Sequence, residues 1–193
     1  PELDSIPKTD EFLKPDPDCE YLDTRSFNLS KIPPMVARPY EPDNVCPVDE
    51  LGSVEIDQAF LGSCTNGRLE DVRVAARIVD GKQIAKGVKF IVIPASREIY
   101  LKAMAEGLLE IIVKAGGVVE YPSCGPCIGG HLGVLGPHEV AVSSSNRNFK
   151  GRMGDPTARV YLASPAVVAA SAIKGEIVAP KEPIKQYLGV FSE

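Results

Sequence analysis

Nine of the chain's 17 prolines, Pro1, Pro7, Pro15, Pro17, Pro33, Pro34, Pro39, Pro42 and Pro47, fall before residue 52. Proline lacks an amide proton and fixes φ, so this density forbids long helices and disfavours central strands. Residues 1–52 therefore read as an extended arm, with one short strand near Glu20–Asp23. The arm is expected to cross a neighbouring domain outside this chain. A disordered tail is the alternative, but Tyr21, Phe27, Met35, Val36 and Tyr40 give the segment more apolar anchors than a solvated tail carries.

From Val54 onward strand and helix signals alternate. Val54–Gly62 reads as a strand, and Leu69–Val79 as a helix with Leu69, Val72, Ala76 and Val79 on one face and Gly81 as its stop. Val88–Ile93 is a continuous apolar run, as in a strand buried on both faces. A helix over Arg97–Lys114 would place Tyr100, Met104, Leu108 and Ile111 on one stripe, closed by Gly116-Gly117. Val118–Tyr121, Glu139–Ser143 and Arg159–Ala163 follow as strands, and Pro165–Ile173 as a helix with proline in its first turn. The alternation predicts an α/β fold over residues 53–193, a three-layer α/β/α sandwich on a mainly parallel sheet.

The chemistry-bearing residues each come just after a predicted strand. Cys64 follows Gly62, Cys124 and Cys127 follow Tyr121, and Asn146 and Arg147 follow Ser143. In open α/β sheets ligands bind beyond the carboxyl ends of the strands, so these three segments are expected to converge. Three thiolates are one short of the four that usually hold a [4Fe-4S] cluster. A cluster held by three leaves one iron open and labile, a Lewis acid for hydroxyl or carboxylate oxygen. Zinc is a second reading, with His131 completing a Cys3His set. Cys-Gly-Pro-Cys is also a thioredoxin-type redox motif, but Gly129, Gly130 and Gly133 argue against the long helix that motif needs. Arg147 and Arg152 offer planar forks that match carboxylates bidentately, and a solvated basic loop is the alternative reading. Asn146 is a further substrate contact, and Asn66 and Ser63 are candidates for supporting the metal site from behind. Cys19, Cys46, His131 and His138 read as structural.

The segments Gly62-Ser63-Cys64-Thr65-Asn66-Gly67, Cys124-Gly125-Pro126-Cys127 and Ser145-Asn146-Arg147-Asn148-Phe149 with Gly151-Arg152 resemble the aconitase superfamily. Gly62–Asp71, Pro94–Ser96 and Tyr161–Pro165 are similar to its 3-isopropylmalate dehydratase and homoaconitase large subunits. The resemblance runs from about Asp16 to Ile177. It implies a hydro-lyase that isomerises a hydroxy acid by removing and re-adding water. It also implies a [4Fe-4S] cluster on Cys64, Cys124 and Cys127, and a di- or tricarboxylate substrate. The catalytic base would be a serine of a small, swivelling subunit, with further residues from an upstream part of the large subunit. Among family members, isomerisation of 2- and 3-isopropylmalate in leucine biosynthesis is favoured over homocitrate chemistry.

A net charge of -5 and the absence of a basic stripe argue against a nucleic-acid partner, and hence against a cluster-dependent regulatory module that binds RNA. The excess is confined to the arm: residues 1–50 carry 12 acidic and 5 basic side chains, leaving the cysteine-bearing part mildly basic. No apolar run approaches the ~20 residues that span a bilayer. Five cysteines, an odd number, suggest a reducing cytoplasm in place of a disulfide framework.

Overall fold

A computed structural model describes residues 15–181. The first 14 residues of the expected arm and the last 12 of the expected domain lie outside them. The chain divides into two units, up to Ile32 and from Pro33.

In the first unit, residues 15–32 form a single 3-10 turn, Leu29–Lys31, where the Asn28 side chain accepts from the Ser30 N–H at 3.1 Å. The strand expected near Glu20–Asp23 does not form. An isolated strand needs a partner ladder, and these residues pair with no other strand. Tyr21, Leu22, Phe27 and Leu29 are exposed.

The second unit is built on a seven-stranded sheet. Its strands are β1 (Met35–Ala37), β2 (Val45–Pro47), β3 (Gln58–Gly62), β4 (Lys89–Ile93), β5 (Val118–Val119), β6 (Val140–Ser143) and β7 (Arg159–Ala163). They are arranged in the order β2-β1-β7-β6-β3-β4-β5. β3 to β7 are mutually parallel, while β1 runs antiparallel to both β7 and β2. The α/β class and the mainly parallel sheet are as the alternation predicted. The β1–β2 pair was not foreseen. It lies within the proline-rich segment, so residues 35–47 belong to this sheet and do not extend away from it. Proline is tolerated there because β2 is an edge strand and Pro47 is its last residue.

Among the described residues, five helices accompany the sheet: α1 (Ser63–Asn66), α2 (Leu69–Val79), α3 (Arg97–Ala105), α4 (Leu108–Lys114) and α5 (Pro165–Lys174). The single helix expected over Arg97–Lys114 breaks at Gly107, which adopts the left-handed conformation (φ 73°) that glycine takes without penalty. The break turns Met104 outward, and Ala103 takes the buried position instead. Ser96 and Ser164 cap α3 and α5, accepting from the amides of Ile99 and Val167.

Side chains alternate across a strand, so the two faces can be separated. Ala59, Leu61, Phe90, Val92, Val140, Val142 and Tyr161 pack with residues of α2, α3, α4 and α5 in one large core. Phe60, Ile91, Ile93, Ala141 and Val160 point to the other face, where Cys127, Leu135, Met153 and Ala158 cover them. Those four come from a 3-10 turn and loops, so the third layer is irregular chain with no long helix. No helix among the described residues is long and apolar enough to cross a membrane.

Candidate functional site

β3 and β6 are neighbours, yet the chain leaves β3 towards β4 and β5 and leaves β6 towards β7. The connections at their carboxyl ends therefore diverge and open a crevice, the topological switch point of a parallel sheet. Cys64 lies in α1, directly after β3. Ser144 to Arg147 directly follow β6.

Ile93, the last residue of β4, brings both cysteine turns together. A Cβ on Gly62 would lie 2.1 Å from the Ile93 carbonyl oxygen, and one on Gly67 would lie 2.5 Å from it. Only glycines allow the chain on either side of Cys64 to approach that strand so closely. On the side-chain end, a Cβ on Gly125 would meet Ile93 Cδ1 at 2.2 Å. The turn Gly125–Ile128, which begins at Cys124, thus lies against the Ile93 side chain. Cys127 N–H donates to the Cys124 carbonyl at 3.0 Å. The turn ends at Gly129 in a left-handed conformation, so no long helix follows, as the glycines predicted.

Cys64 and Cys124 are exposed, Cys127 is buried, and all are free thiols. Among the described residues, no three His, Cys, Asp or Glu side chains gather tightly enough to hold a single metal ion. Cys64, Cys124 and Cys127, with or without His131, are therefore not gathered into a preformed metal centre.

The arginine loop reaches the cysteine turn from the other side. Arg152 Nη2 donates to Cys127 Sγ at 3.4 Å, and its guanidinium carbon lies 5.5 Å from the centre of the Phe149 ring. Arg152 Nε is buried and has no hydrogen-bond partner among the described residues. Arg147 is exposed, with Nη1 donating to the Asn146 carbonyl at 2.7 Å. Asn146 is exposed as well.

Ser63 and Asn66, expected to support the metal site, have different roles in the geometry. Asn66 Nδ2 donates to the Ser144 carbonyl at 2.6 Å, tying the Cys64 turn to the loop after β6. Ser63 is buried in the left-handed region (φ 65°), a strain of about 1–2 kcal/mol for a residue with a Cβ. Its hydroxyl has no partner among the described residues. His138 turns the chain into β6, its N–H bonded to Thr157 Oγ1, and His131 is exposed beyond the cysteine turn.

Two residues beside the candidate site have contacts that the sequence did not foretell. Ser144 accepts from the Gly62 N–H through its hydroxyl (3.0 Å) and from Asn66 through its carbonyl, clipping the two sides of the crevice. A serine run directly after a strand was the available signal. Asn148 is wholly buried between the two exposed residues Arg147 and Phe149, and its side chain bonds the β1–β2 turn. Nothing local distinguishes it from Asn146.

The pattern of the Aconitase family (aconitate hydratase) matches residues 49–175, which contain all three cysteines and the arginine loop. Among curated relatives, the chain is 53% identical over 167 residues to the probable methanogen homoaconitase large subunit of Methanothermobacter thermautotrophicus. It is 54% identical over 167 residues to the 3-isopropylmalate dehydratase large subunit of Clostridium kluyveri. A probable 3-isopropylmalate dehydratase large subunit of Methanothermobacter thermautotrophicus is 55% identical over 168 residues. These matches cover 86–87% of this chain and 39–40% of each relative, so the chain spans about two-fifths of their length. With the family pattern spanning both cysteine turns and the loop that carries Arg152 to Cys127, the chain belongs to the aconitase family.

Proposed function

We propose that this chain is the cluster-bearing part of a hydro-lyase large subunit that interconverts 2- and 3-isopropylmalate by dehydration and rehydration. The carrying observation is the convergence at Ile93, where the turns bearing Cys64 and Cys124 pack on one residue, together with the Arg152 contact to Cys127 in the second of those turns. The homoaconitase relative at 53% identity lies between isopropylmalate dehydratase relatives at 49% and 55%. Homocitrate is accordingly the alternative substrate.

The donor set suits a [4Fe-4S] cluster. Three free thiols lie on two turns, and the Arg152 guanidinium donates to one of the sulfurs. In this reading Cys64, Cys124 and Cys127 hold the cluster. When bound, it supplies an iron with an open position that polarises hydroxyl and carboxylate oxygen. Arg152 stands beside the Cys127 sulfur, and its orphaned Nε donor is satisfied by an anion entering the crevice. Arg147, exposed on the same loop, holds a second carboxylate, with Asn146 beside it. Two fixed forks orient a dicarboxylate so that the proton lost from carbon faces one direction. In this reading no described residue of this chain acts as the base that accepts that proton. The base belongs to a separate small subunit, consistent with relatives whose names include "large subunit". The reducing cytoplasm expected from the cysteines suits free thiols of this kind.

The test is anaerobic turnover of isopropylmalate, homocitrate and citrate by the complete large subunit with its small subunit. Cys64→Ala, Cys124→Ala and Cys127→Ala are measured in parallel by iron content and visible absorbance. The reading expects turnover of isopropylmalate above the others and loss of cluster absorbance in each variant. Full iron content in any cysteine variant, or no turnover of any hydroxy acid, would overturn it.

A further inference from the structure

Asn148 sits inside the loop that carries both arginines, yet it faces away from solvent. Its side chain is completely buried. Nδ2 donates to the carbonyl of Arg38 at 2.8 Å and approaches that of Glu41 at 3.5 Å. Both carbonyls belong to the turn joining β1 and β2. The same turn meets the loop a second time, where Lys150 Nζ lies 5.3 Å from the centre of the Tyr40 ring. The turn holds itself through Arg38 N–H to the Asn44 carbonyl (2.8 Å), so it is a closed support.

A buried amide that donates towards two carbonyls is a directional anchor, because its two N–H groups leave the planar amide in fixed directions. The residue before Asn148 is Arg147, and the Phe149 carbonyl accepts the Arg152 N–H at 3.0 Å. Fixing Asn148 therefore fixes where Arg147 leaves the backbone and where the turn towards Arg152 starts. We infer that Asn148 is a positioning residue, fastening the arginine loop to the β1–β2 hairpin so that Arg147 meets the substrate in one orientation. The inference rests on the reading that Arg147 and Arg152 hold carboxylates. Asn148 itself touches neither sulfur nor substrate in it.

The test is a double-mutant cycle on the complete enzyme with its small subunit, using Asn148→Ala, Arg147→Lys and the double variant. Asn148→Ala is expected to lower kcat/KM by about ten- to a hundred-fold, the scale on which misplacing a binding group acts. Iron content is expected to match the wild type. If Asn148 works through Arg147, the double variant falls no further than Arg147→Lys alone, since a misdirected lysine loses little more. Multiplicative losses would mean that Asn148 acts independently, and would overturn the inference. No effect of Arg147→Lys and Arg152→Lys would instead remove the arginine reading beneath it. Asn148→Ser, smaller and still polar, is the second variant where the alanine protein folds poorly. If neither retains wild-type iron content, Asn148 is a folding element and the inference fails.

Discussion

Replacing Gly62 by alanine tests the claim that the Cys64 turn is set by contact with β4. Gly62 has φ 140°, and its added Cβ would meet the Ile93 carbonyl oxygen at 2.1 Å and its carbon and nitrogen at 2.9 Å each. Those atoms are backbone at the last rung of the β3–β4 ladder, so no side-chain rotation relieves the clash. The unusual backbone costs an alanine about 1–3 kcal/mol. Forcing a methyl into occupied space adds a similar amount, for a total of about 2–6 kcal/mol. Gly81→Ala is the control: φ is 66°, but nothing lies within 4 Å of its Cβ, so only the backbone cost applies. Urea unfolding followed by far-UV circular dichroism gives both values, and anaerobic iron reconstitution reports on the turn. Gly62→Ala is expected to be less stable than Gly81→Ala by about 1–3 kcal/mol and to load less iron. Equal stability of the two variants would refute the close-approach argument.

Lysine at either arginine keeps charge but loses the fork, so Arg147→Lys and Arg152→Lys are each expected to cost about 1.5–3 kcal/mol of substrate binding. This is seen as a ten- to hundred-fold loss in kcat/KM. The two differ in iron content: Arg147→Lys keeps it, whereas Arg152→Lys lowers it, because Arg152 donates to Cys127 Sγ. The Gly136 N–H, at 2.7 Å, and Lys89 hold the Glu139 carboxyl below its ordinary value of 4.5. A depressed carboxylate stabilises the fold above its unfolded value and loses that contribution as pH falls through the folded one. Unfolding at several pH values is therefore expected to show Glu139→Gln as destabilising at neutral pH, with the difference from wild type closing below pH 4.5. A difference independent of pH would mean that the contact is not ionic.

The periodic patterns were legible because burial on a sheet or helix leaves a local trace. α2 matches its expected bounds, Leu69–Val79, and β7 matches Arg159–Ala163. The break at Gly107 was missed because the apolar stripe continues across it, and a lone glycine in a helical pattern is ambiguous until its φ is known. The β1–β2 hairpin was missed because proline density masks short edge strands, which need only three residues each and a neighbour to pair with.

The amino-acid order alone singled out the candidate residues for the proposed chemistry. Cys64, Cys124, Cys127, Arg147 and Arg152 stand out by type, by spacing and by their place after strands, and such features need no coordinates. Tertiary structure decided how those residues are held. The contact of Gly62, Gly67 and Gly125 with Ile93, the Ser144 clip to Asn66 and the Asn148 anchor join positions from 26 to 110 residues apart. No periodicity records such pairs. A hydrogen bond or a close approach between distant segments depends on where the sheet brings their backbones, and that is settled only when the whole β3–β4–β6 switch point has formed.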